Sequence, residues 1–351
     1  MTLVKAALMV VLLTAGLGAS AQKEEVITLA FGGDVMLGRL VDETVKARGP
    51  RYVWGNVLPL LRDADAAFVN LECVISEPDE RFPNRVFYFR ASPETGRALD
   101  EAGIDYVSLA NNHAMDFRAR GLIKTISHLD RMGIAHAGAG RDLEAAATPA
   151  FLNVSGVKIG VVAFADHFRE YAASHDSPGI NWIELKNFKR VRTAIDAARK
   201  GGADLIVFSI HWGPNMREHP SPAFIEFAHA VMDAGADIFH GHSAHIFQAI
   251  EIYKGKLILY DTGDLIDDYY VDPQLRNDQQ LLFIVRASSQ GIESLELVPL
   301  LIRDMQVNLA EGVEFSAIFE RARRLSASFD TSIERKGSRL YVLTPRSGSR
   351  P

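Results

Sequence analysis

The residues VITLAFGGD, at positions 26–34, join a short apolar run to a glycine pair and a carboxylate. The first six residues are β-prone and uniformly apolar, a pattern typical of a strand buried on both faces. Asp34 then stands immediately beyond the carboxyl end of that strand. The same kind of apolar run recurs along the chain, at 67–71, 106–110, 157–165 and 205–210.

Helical patterns separate these predicted strands, at 94–102, 122–132, 187–200 and 222–234. Glycines follow them as stop signals, as at Gly103 and Gly133. Alternating strands and helices predict an α/β protein with helices outside its sheets. Beyond residue 245 the pattern changes to paired strand-like runs, at 246–253 with 256–260 and at 281–287 with 292–298, then a helix near 315–327 and a strand at 340–343.

The first 21 residues have the three parts of a secretory signal peptide. A short basic start precedes the apolar run at 6–17, and Ala19-Ser20-Ala21 forms a small-residue cleavage pattern. We therefore expect an exported protein, periplasmic or extracellular, with an uncleaved membrane anchor as the alternative. No linker divides the rest, which predicts a signal peptide at 1–21, a single domain at 22–345 and a polar tail at 346–351.

Composition excludes several classes of protein. The 351 residues are 48% hydrophobic and 23% charged, which are ordinary globular values. The net charge of −6 leaves no basic surplus for a polyphosphate backbone, so we expect no nucleic-acid partner. The single cysteine, Cys73, excludes an internal disulfide and a cysteine-rich zinc module.

Side chains of the metal-ligand type follow several of the apolar runs. They are Asp34, Glu72, the run Asn111-Asn112-His113, His211, and the pair His242 and His245. Loops at the carboxyl edge of an α/β sheet are where ligands usually bind. Each residue alone also has a structural explanation: Asn111 or Asn112 could cap a helix, and His211 could be a core histidine. Together they predict a site for a divalent cation such as Mn²⁺, Fe²⁺ or Zn²⁺.

The motifs resemble those of the CapA family, named for capsule poly-γ-glutamate synthesis, within the calcineurin-like metallophosphoesterase superfamily. The resemblance covers residues 27–268, and 269–345 supply further strands and a helix. The matching segments, in family order, are FGGDVMLGR at 31–39, VNLE at 69–72, YVSLANNH at 106–113 with Asp116, SIHWG at 209–213, GAD at 235–237, GHSAHIFQ at 241–248 and YDTGD at 260–264.

For the fold, the resemblance implies a four-layer α/β/β/α sandwich of the metallophosphoesterase type. For the site it implies a dinuclear metal centre. Asp34 would be the first ligand and Glu72 the bridging carboxylate, and the remaining ligands would be Asn112, His211, His242 and His245. His113 would donate a proton to a leaving group, with Asp116 orienting its ring. Arg39, close to Asp34 in sequence, is a candidate for bidentate binding of an anionic substrate.

Several positions depart from the expected motifs. Met36 stands where the superfamily has the histidine of Asp-x-His, and a thioether is a poor ligand for a hard dication. Ser243-Ala244 replaces a His-Pro pair, and Thr262-Gly263-Asp264 replaces Leu-Gly-Asn. The acidic residues Asp261, Asp264, Asp267 and Asp268 could form a second acidic site, but they are expected in a solvated loop.

Three functional classes remain open. The first is a metal-dependent hydrolase that cleaves a phosphoester or amide bond of an envelope or capsule polymer. The second is a non-catalytic accessory that binds an anionic polymer during synthesis or export. The third is a metal-free His/carboxylate enzyme such as a peptide epimerase. The expected substrate is an anionic polymer or a small phosphoester or peptide, and the expected partners are membrane-bound polymer-synthesis proteins. The three candidate histidine ligands favour the first class, and Met36 is the main argument for the other two.

Overall fold

The computed structural model of the chain describes residues 25–342. The predicted signal peptide, the polar tail and the end of the last predicted strand lie outside these residues. No helix of the described part is both long and apolar enough to cross a membrane.

The strands of the described residues differ widely in length. They are β1 (Ile27–Val35), β2 (Ala66–Leu71), β3 (Val74–Ile75), β4 (Arg90–Ala91), β5 (Tyr106–Ser108), β6 (Ala135–Ala137), β7 (Ala139–Gly140), β8 (Ala150–Val154), β9 (Val157–Ala165), β10 (Gly179–Ile180), β11 (Leu205–His211), β12 (Ile238–His242), β13 (Ile250–Tyr253), β14 (Lys256–Leu259), β15 (Asp264–Ile266), β16 (Gln279–Ser288), β17 (Gly291–Arg303), β18 (Gln306–Leu309), β19 (Ile333–Lys336) and β20 (Arg339–Val342).

The α-helices lie between and after these strands. They are α1 (Arg39–Arg48), α2 (Leu58–Arg62), α3 (Pro93–Ala102), α4 (Arg118–Met132), α5 (Leu143–Ala147), α6 (Phe188–Lys200), α7 (Pro222–Asp233) and α8 (Gly312–Ala327), with 3₁₀ turns at Tyr52–Val57 and Arg169–Tyr171.

Two large mixed sheets form the centre of the molecule. The first has the order β19-β20-β17-β16-β1-β2-β5-β6, with β15 added to β1 and β18 to β17. The second has the order β13-β14-β12-β11-β9-β8. In the first sheet β1, β2, β5 and β6 run parallel, and in the second β9, β11, β12 and β14 do. Their carboxyl ends therefore lie together at one edge of each sheet.

The two sheets pack face to face, and helices cover their outer faces. The Phe31 ring of β1 lies 5.3 Å from the His240 ring of β12, centroid to centroid. Helices α6 and α7 cover the second sheet, where Phe227 of α7 packs on Phe208 of β11. Helix α4 packs on β6 of the first sheet, and α1 and α3 lie beside it. The predicted four-layer α/β/β/α sandwich is therefore confirmed.

The predicted elements recur with small shifts of their ends, and strand β9 has the predicted bounds. The hairpin turn between β13 and β14 is also confirmed: Lys254 and Gly255 both have positive φ, at 52° and 79°, as a type I′ turn requires. The strand predicted at 246–253 begins only at Ile250, because the preceding residues form a loop in which His245 has a φ of 60°. The helices between residues 39 and 62 were not predicted.

Candidate metal centre

Five of the six predicted ligands meet between the two sheets, four from strand ends and one from the loop after a strand. Asp34 lies in β1, and Glu72 follows β2 directly. His211 ends β11, and His242 ends β12, where the two histidines are partners in the register of the parallel pair. His245 follows in the loop after β12. The side chains of Asp34, Glu72, His211 and His242 are completely buried.

The short strand β15 brings a further carboxylate to this place. It pairs in parallel with β1, with Asp264 in register with Asp34. The amide of Asp34 donates a hydrogen bond to the carbonyl of Gly263, at 2.8 Å. This close approach requires glycine at position 33, since a Cβ there would lie 1.9 Å from the Gly263 carbonyl oxygen.

The expectation of a solvated acidic loop at residues 261–268 is wrong. Asp261, Asp264 and Asp267 are buried. The Asp268 carboxylate is buried as well, in an ion pair with the Arg39 guanidinium. Backbone pairing of β15 with β1 draws this segment inside the fold.

The ligand-type atoms form two groups that share Asp34. The first contains Asp34, His211 and His242, and the second contains Asp34, Glu72, His245 and Asp264, with the atoms of each group within 4.8 Å of one another. The Nδ1 atoms of His211 and His242 lie 3.8 and 3.7 Å from Asp34 Oδ1. On the other side of the same carboxylate, His245 Nδ1 lies 3.5 Å from Asp34 Oδ2.

Several of these buried atoms have no hydrogen-bond partner among the described residues. They are Asp34 Oδ2, Glu72 Oε1, Asn112 Oδ1, His211 Nε2 and Asp264 Oδ2. Buried polar groups are normally hydrogen-bonded, because leaving one unpaired costs about 1–3 kcal/mol. A set of unpaired carboxylate, amide and imidazole atoms is the donor set that divalent cations take. The residues therefore fit the metal that the sequence predicted.

The charges of the site also favour a cation. Burial raises the pKa of Asp34 well above its usual value, and the Glu72 and Asp264 carboxylates raise it further. Burial lowers the pKa values of His211 and His242 well below the usual range, which keeps both rings neutral, as metal ligation requires. Burial opposes the charged form of His245, but the Asp264 and Glu72 carboxylates outweigh it and raise that pKa.

His113 and Asp116 form a hydrogen-bonded pair outside both groups. His113 Nδ1 lies 2.6 Å from Asp116 Oδ2, which also accepts from the Phe89 amide at 2.7 Å. The Phe89 ring stacks on the His113 imidazole with centroids 3.8 Å apart. These contacts fix the orientation of the imidazole.

A chain of amide side chains connects this pair to the candidate ligands. The amide of His113 donates to Asn111 Oδ1, and Asn111 Nδ2 donates to Asn70 Oδ1. Asn70 Nδ2 in turn donates to Asp34 Oδ1 at 2.8 Å. Asn111 and Asn112 are not helix caps, since α4 begins at Arg118 after Phe117. Asn70 was not predicted from the sequence, although a polar residue inside the apolar run AFVNL indicates a buried hydrogen-bonding role.

Arg39 and Met36 are both held by contacts within the chain. The Arg39 guanidinium pairs with Asp268 and lies over the Phe89 and Tyr269 rings, 5.0 and 5.5 Å from their centroids. The Met36 sulfur accepts a hydrogen bond from the Gly38 amide at 3.1 Å. Tyr269, not predicted from the sequence, donates from its hydroxyl to Glu72 Oε2 at 2.9 Å.

Comparison with known proteins places this chain among bacterial capsule synthesis proteins. Residues 28–269 match the family described as bacterial capsule synthesis protein PGA_cap. A probable polyglutamine synthesis accessory protein of Mycobacterium tuberculosis is 31% identical over 371 residues, which cover 93% of this chain and 98% of that protein. The capsule biosynthesis protein CapA of Bacillus anthracis is 32% identical over 288 residues, covering 81% of this chain and 69% of that one. Among solved structures, TT1561 of Thermus thermophilus is similar with a TM-score of 0.42 and 11% identity, over 76% of this chain and all of that one.

Proposed function

The chain belongs to the bacterial capsule synthesis protein family, and from this premise we propose that it is an exported, metal-dependent hydrolase of capsule or envelope polymer metabolism. The bond that it cleaves would be an amide or a phosphoester, either within an anionic polymer of the polyglutamate type or attached to one. The names of the relatives, one for polyglutamine synthesis and one for capsule biosynthesis, support this substrate class.

The observation that carries the proposal is the convergence of unpaired ligand atoms around Asp34. Asp34, Glu72, Asn112, His211, His242 and His245 would hold the ions. A pair of divalent ions polarises a phosphoryl or carbonyl oxygen and activates water near neutral pH. Every ligand in this set comes from a different turn or strand end, so the folded chain pre-organises the set.

The residues around His113 would handle the proton of the leaving group. Asp116 accepts a hydrogen bond from Nδ1 of His113, so the opposite ring nitrogen is the one that can give up a proton. The stacked Phe89 ring covers one face of the imidazole and limits its contact with water. Arg39 lies on the same aromatic group, where its guanidinium, one-third exposed, would meet a substrate carboxylate or phosphate.

A metal-free acid/base enzyme is the second candidate. The observation that favours it is the complete His113–Asp116 pair, which involves none of the candidate metal ligands. The two functions differ in what they require: hydrolysis needs Asp34 and His242, and metal-free chemistry needs only the pair.

Elemental analysis of the purified mature protein is the first test. We expect about one or two transition-metal ions per chain, lost in Asp34→Asn and His242→Ala, with circular dichroism confirming that both variants fold. Metal-stimulated turnover is then assayed on phosphoester and γ-glutamyl peptide substrates. A protein that binds no metal even with added Mn²⁺ or Zn²⁺, or one that retains activity in both variants and loses it only in His113→Ala, contradicts the hydrolase proposal.

Export and partners are further parts of the proposal. We expect the chain in the periplasm or outside the cell, beside membrane-bound polymer-synthesis proteins. Fractionation of cells with N-terminal sequencing of the recovered protein tests the location. A new N-terminus near Gln22 would support cleavage of the leader, and recovery from the cytoplasm with Met1 intact would contradict export.

A further inference from the structure

Helix α8 and two loops from elsewhere in the chain line a pocket outside the candidate metal centre. The pocket has a volume of about 570 Å³, and of the described residues that line it none belongs to either ligand group. Its charged lining residues come from α8, from the loop before α7 and from the segment before β16: Glu218, Arg276, Glu320, Arg321, Arg323 and Arg324. This lining has four guanidiniums and two carboxylates, although the net charge of the whole chain is −6.

Arg321 differs from the other charged residues of this pocket because its side chain is buried. Only 8% of it is exposed, and its guanidinium lies over the Phe247 ring, 4.9 Å from the centroid. Its Nε and Nη2 atoms have no hydrogen-bond partner among residues 25–342. Burial lowers the pKa of Arg321 and outweighs the Glu218 carboxylate, which raises it. Since a guanidinium stays charged in proteins, these buried N–H groups favour an additional anion.

The two unpaired nitrogens form the edge of the guanidinium that binds a carboxylate through two parallel hydrogen bonds. Arg276, in the same pocket, uses this edge: its Nε and Nη2 atoms donate to the two oxygens of Asp278 at 2.8 and 2.9 Å. Arg321 instead has Glu218 Oε1 at 3.4 Å from Nε. That oxygen also accepts a hydrogen bond from Arg324 Nη2 at 3.1 Å, so one carboxylate serves two guanidiniums.

The surplus positive charge of the pocket lies at Arg321 and Arg324. The other two guanidiniums have carboxylates of their own, Arg276 with Asp278 and Glu314, and Arg323 with Glu320. Resting on the anionic polymer of the proposed function, we infer that Arg321 and Arg324 bind a carboxylate group of that polymer at a site separate from the metal centre. Arg321 supplies the bidentate edge, and Arg324 supplies a second positive charge at the exposed side.

A second contact of this kind suits a polymer better than a small anion. Phe247, which packs against the Arg321 guanidinium, lies two residues after His245, so the loop after β12 contributes to both the pocket and the metal centre. A polymer has a carboxylate in every repeat, and one chain that contacts two sites binds more tightly than either contact alone. Free glutamate offers a single repeat and should therefore bind much more weakly than an oligomer.

The test is the fluorescence anisotropy of a labelled, γ-linked glutamate decamer mixed with the mature protein, as purified and again with a chelator that removes metal ions. Arg321→Gln should weaken binding by about tenfold or more in both conditions, because a bidentate, charge-assisted contact is lost. Glu218→Gln should strengthen binding several-fold, since it removes the carboxylate that competes for Arg321 and Arg324. Arg323→Gln is the matched control, because Arg323 lies on the same helix but pairs with Glu320. It should change the affinity by less than about twofold.

The outcomes separate this inference from the function on which it rests. Circular dichroism checks the folding of each variant, and Arg324→Gln, at a half-exposed position, replaces Arg321→Gln if the latter does not fold. Equal affinities in the arginine variants and in the control would overturn the inference and leave a metal-dependent hydrolase standing. Free glutamate that displaces the decamer as readily as unlabelled decamer does would overturn the polymer as the ligand. Loss of binding in Arg321→Gln, in a protein without metal-stimulated turnover, would support this site and reject the hydrolase.

Discussion

The edges of the two sheets contribute different atoms to the candidate centre. The first sheet supplies oxygen: the carboxylates of Asp34, Glu72 and Asp264 come from β1, β2 and β15. The second sheet supplies nitrogen: His211 and His242 end β11 and β12. The two kinds of atom meet in the gap between the sheets. We call the contributing edge of the first sheet the oxygen edge and that of the second sheet the nitrogen edge.

This division shows why the fold must be complete before the site exists. The Glu72 carboxylate lies 3.7 Å from His211 Nε2 with one oxygen and 4.0 Å from His245 Nδ1 with the other. No single sheet holds a full ligand set, so a bound metal ion and the docking of the sheets would stabilise each other. In the first sheet, Asp34 belongs to both ligand groups and Glu72 lies near His211 as well as His245. In the second sheet, His211 and His242 belong to one group.

Removing the Glu72 carboxylate, whose two oxygens lie near His211 and His245, should have the largest effect. Glu72→Gln takes one charge from between the groups, and we expect it to lose most of the bound metal and nearly all metal-dependent turnover. His242→Ala, on the nitrogen edge, should lose about one ion and keep the other. Elemental analysis of both variants after dialysis gives the comparison.

Equal losses in Glu72→Gln and His242→Ala would break the distinction between the edges. Glu77→Gln is a suitable control, because Glu77 is an exposed glutamate on the same segment of chain. It should keep the metal content of the wild type.

The sequence predicted the ligands that follow long strands. Asp34, Glu72 and His211 stand at the ends of apolar runs, and such ends meet at one edge of a parallel sheet. Asp264 could not be found in this way, because β15 has only three residues and no periodicity. Its position depends on pairing with β1, about 230 residues earlier in the chain. The helices near residues 39–62 were missed for a local reason, since Gly49-Pro50 and Gly55 interrupt the helical pattern.

Replacing His113, which belongs to neither ligand group, should have the next largest effect. His113→Gln removes the proposed proton donor but keeps a polar side chain beside Asp116. We expect kcat to fall by about 10²–10⁴-fold while metal content stays at the wild-type level. Steady-state kinetics with elemental analysis separates these quantities. Loss of metal in this variant would mean that His113 belongs to the ligand set.

The pH dependence of stability should have opposite signs at the two edges. Burial raises the pKa of Asp261, beside β15, to about 7. Its contribution to the free energy of unfolding is therefore complete below the unfolded value near 3.8 and is lost as the pH rises through about 7. Burial lowers the pKa of His240, in β12, to about 4. Its contribution is present above the unfolded value near 6.5 and is lost as the pH falls through about 4.

Urea unfolding of metal-free protein between about pH 4 and 8, with a chelator present, measures both contributions. Relative to Asp261→Asn, the wild type should lose stability as the pH rises. Relative to His240→Gln, it should gain stability over the acidic half of the range. Each change should be on the order of a few kcal/mol. Slopes of the same sign for the two comparisons would contradict the assignment of opposite edges.

Tyr269 offers the smallest test, because its hydroxyl donates a hydrogen bond to one carboxylate of the oxygen edge, that of Glu72. Its hydroxyl donates to Glu72 Oε2, and Tyr269→Phe removes that hydrogen bond while keeping the ring that packs near His245. Since partners of ligating carboxylates orient them, we expect metal affinity to fall by about tenfold or less. Titration of Mn²⁺ into metal-free wild type and Tyr269→Phe measures the loss, and an unchanged affinity would mean that this hydrogen bond does not orient Glu72 for metal binding.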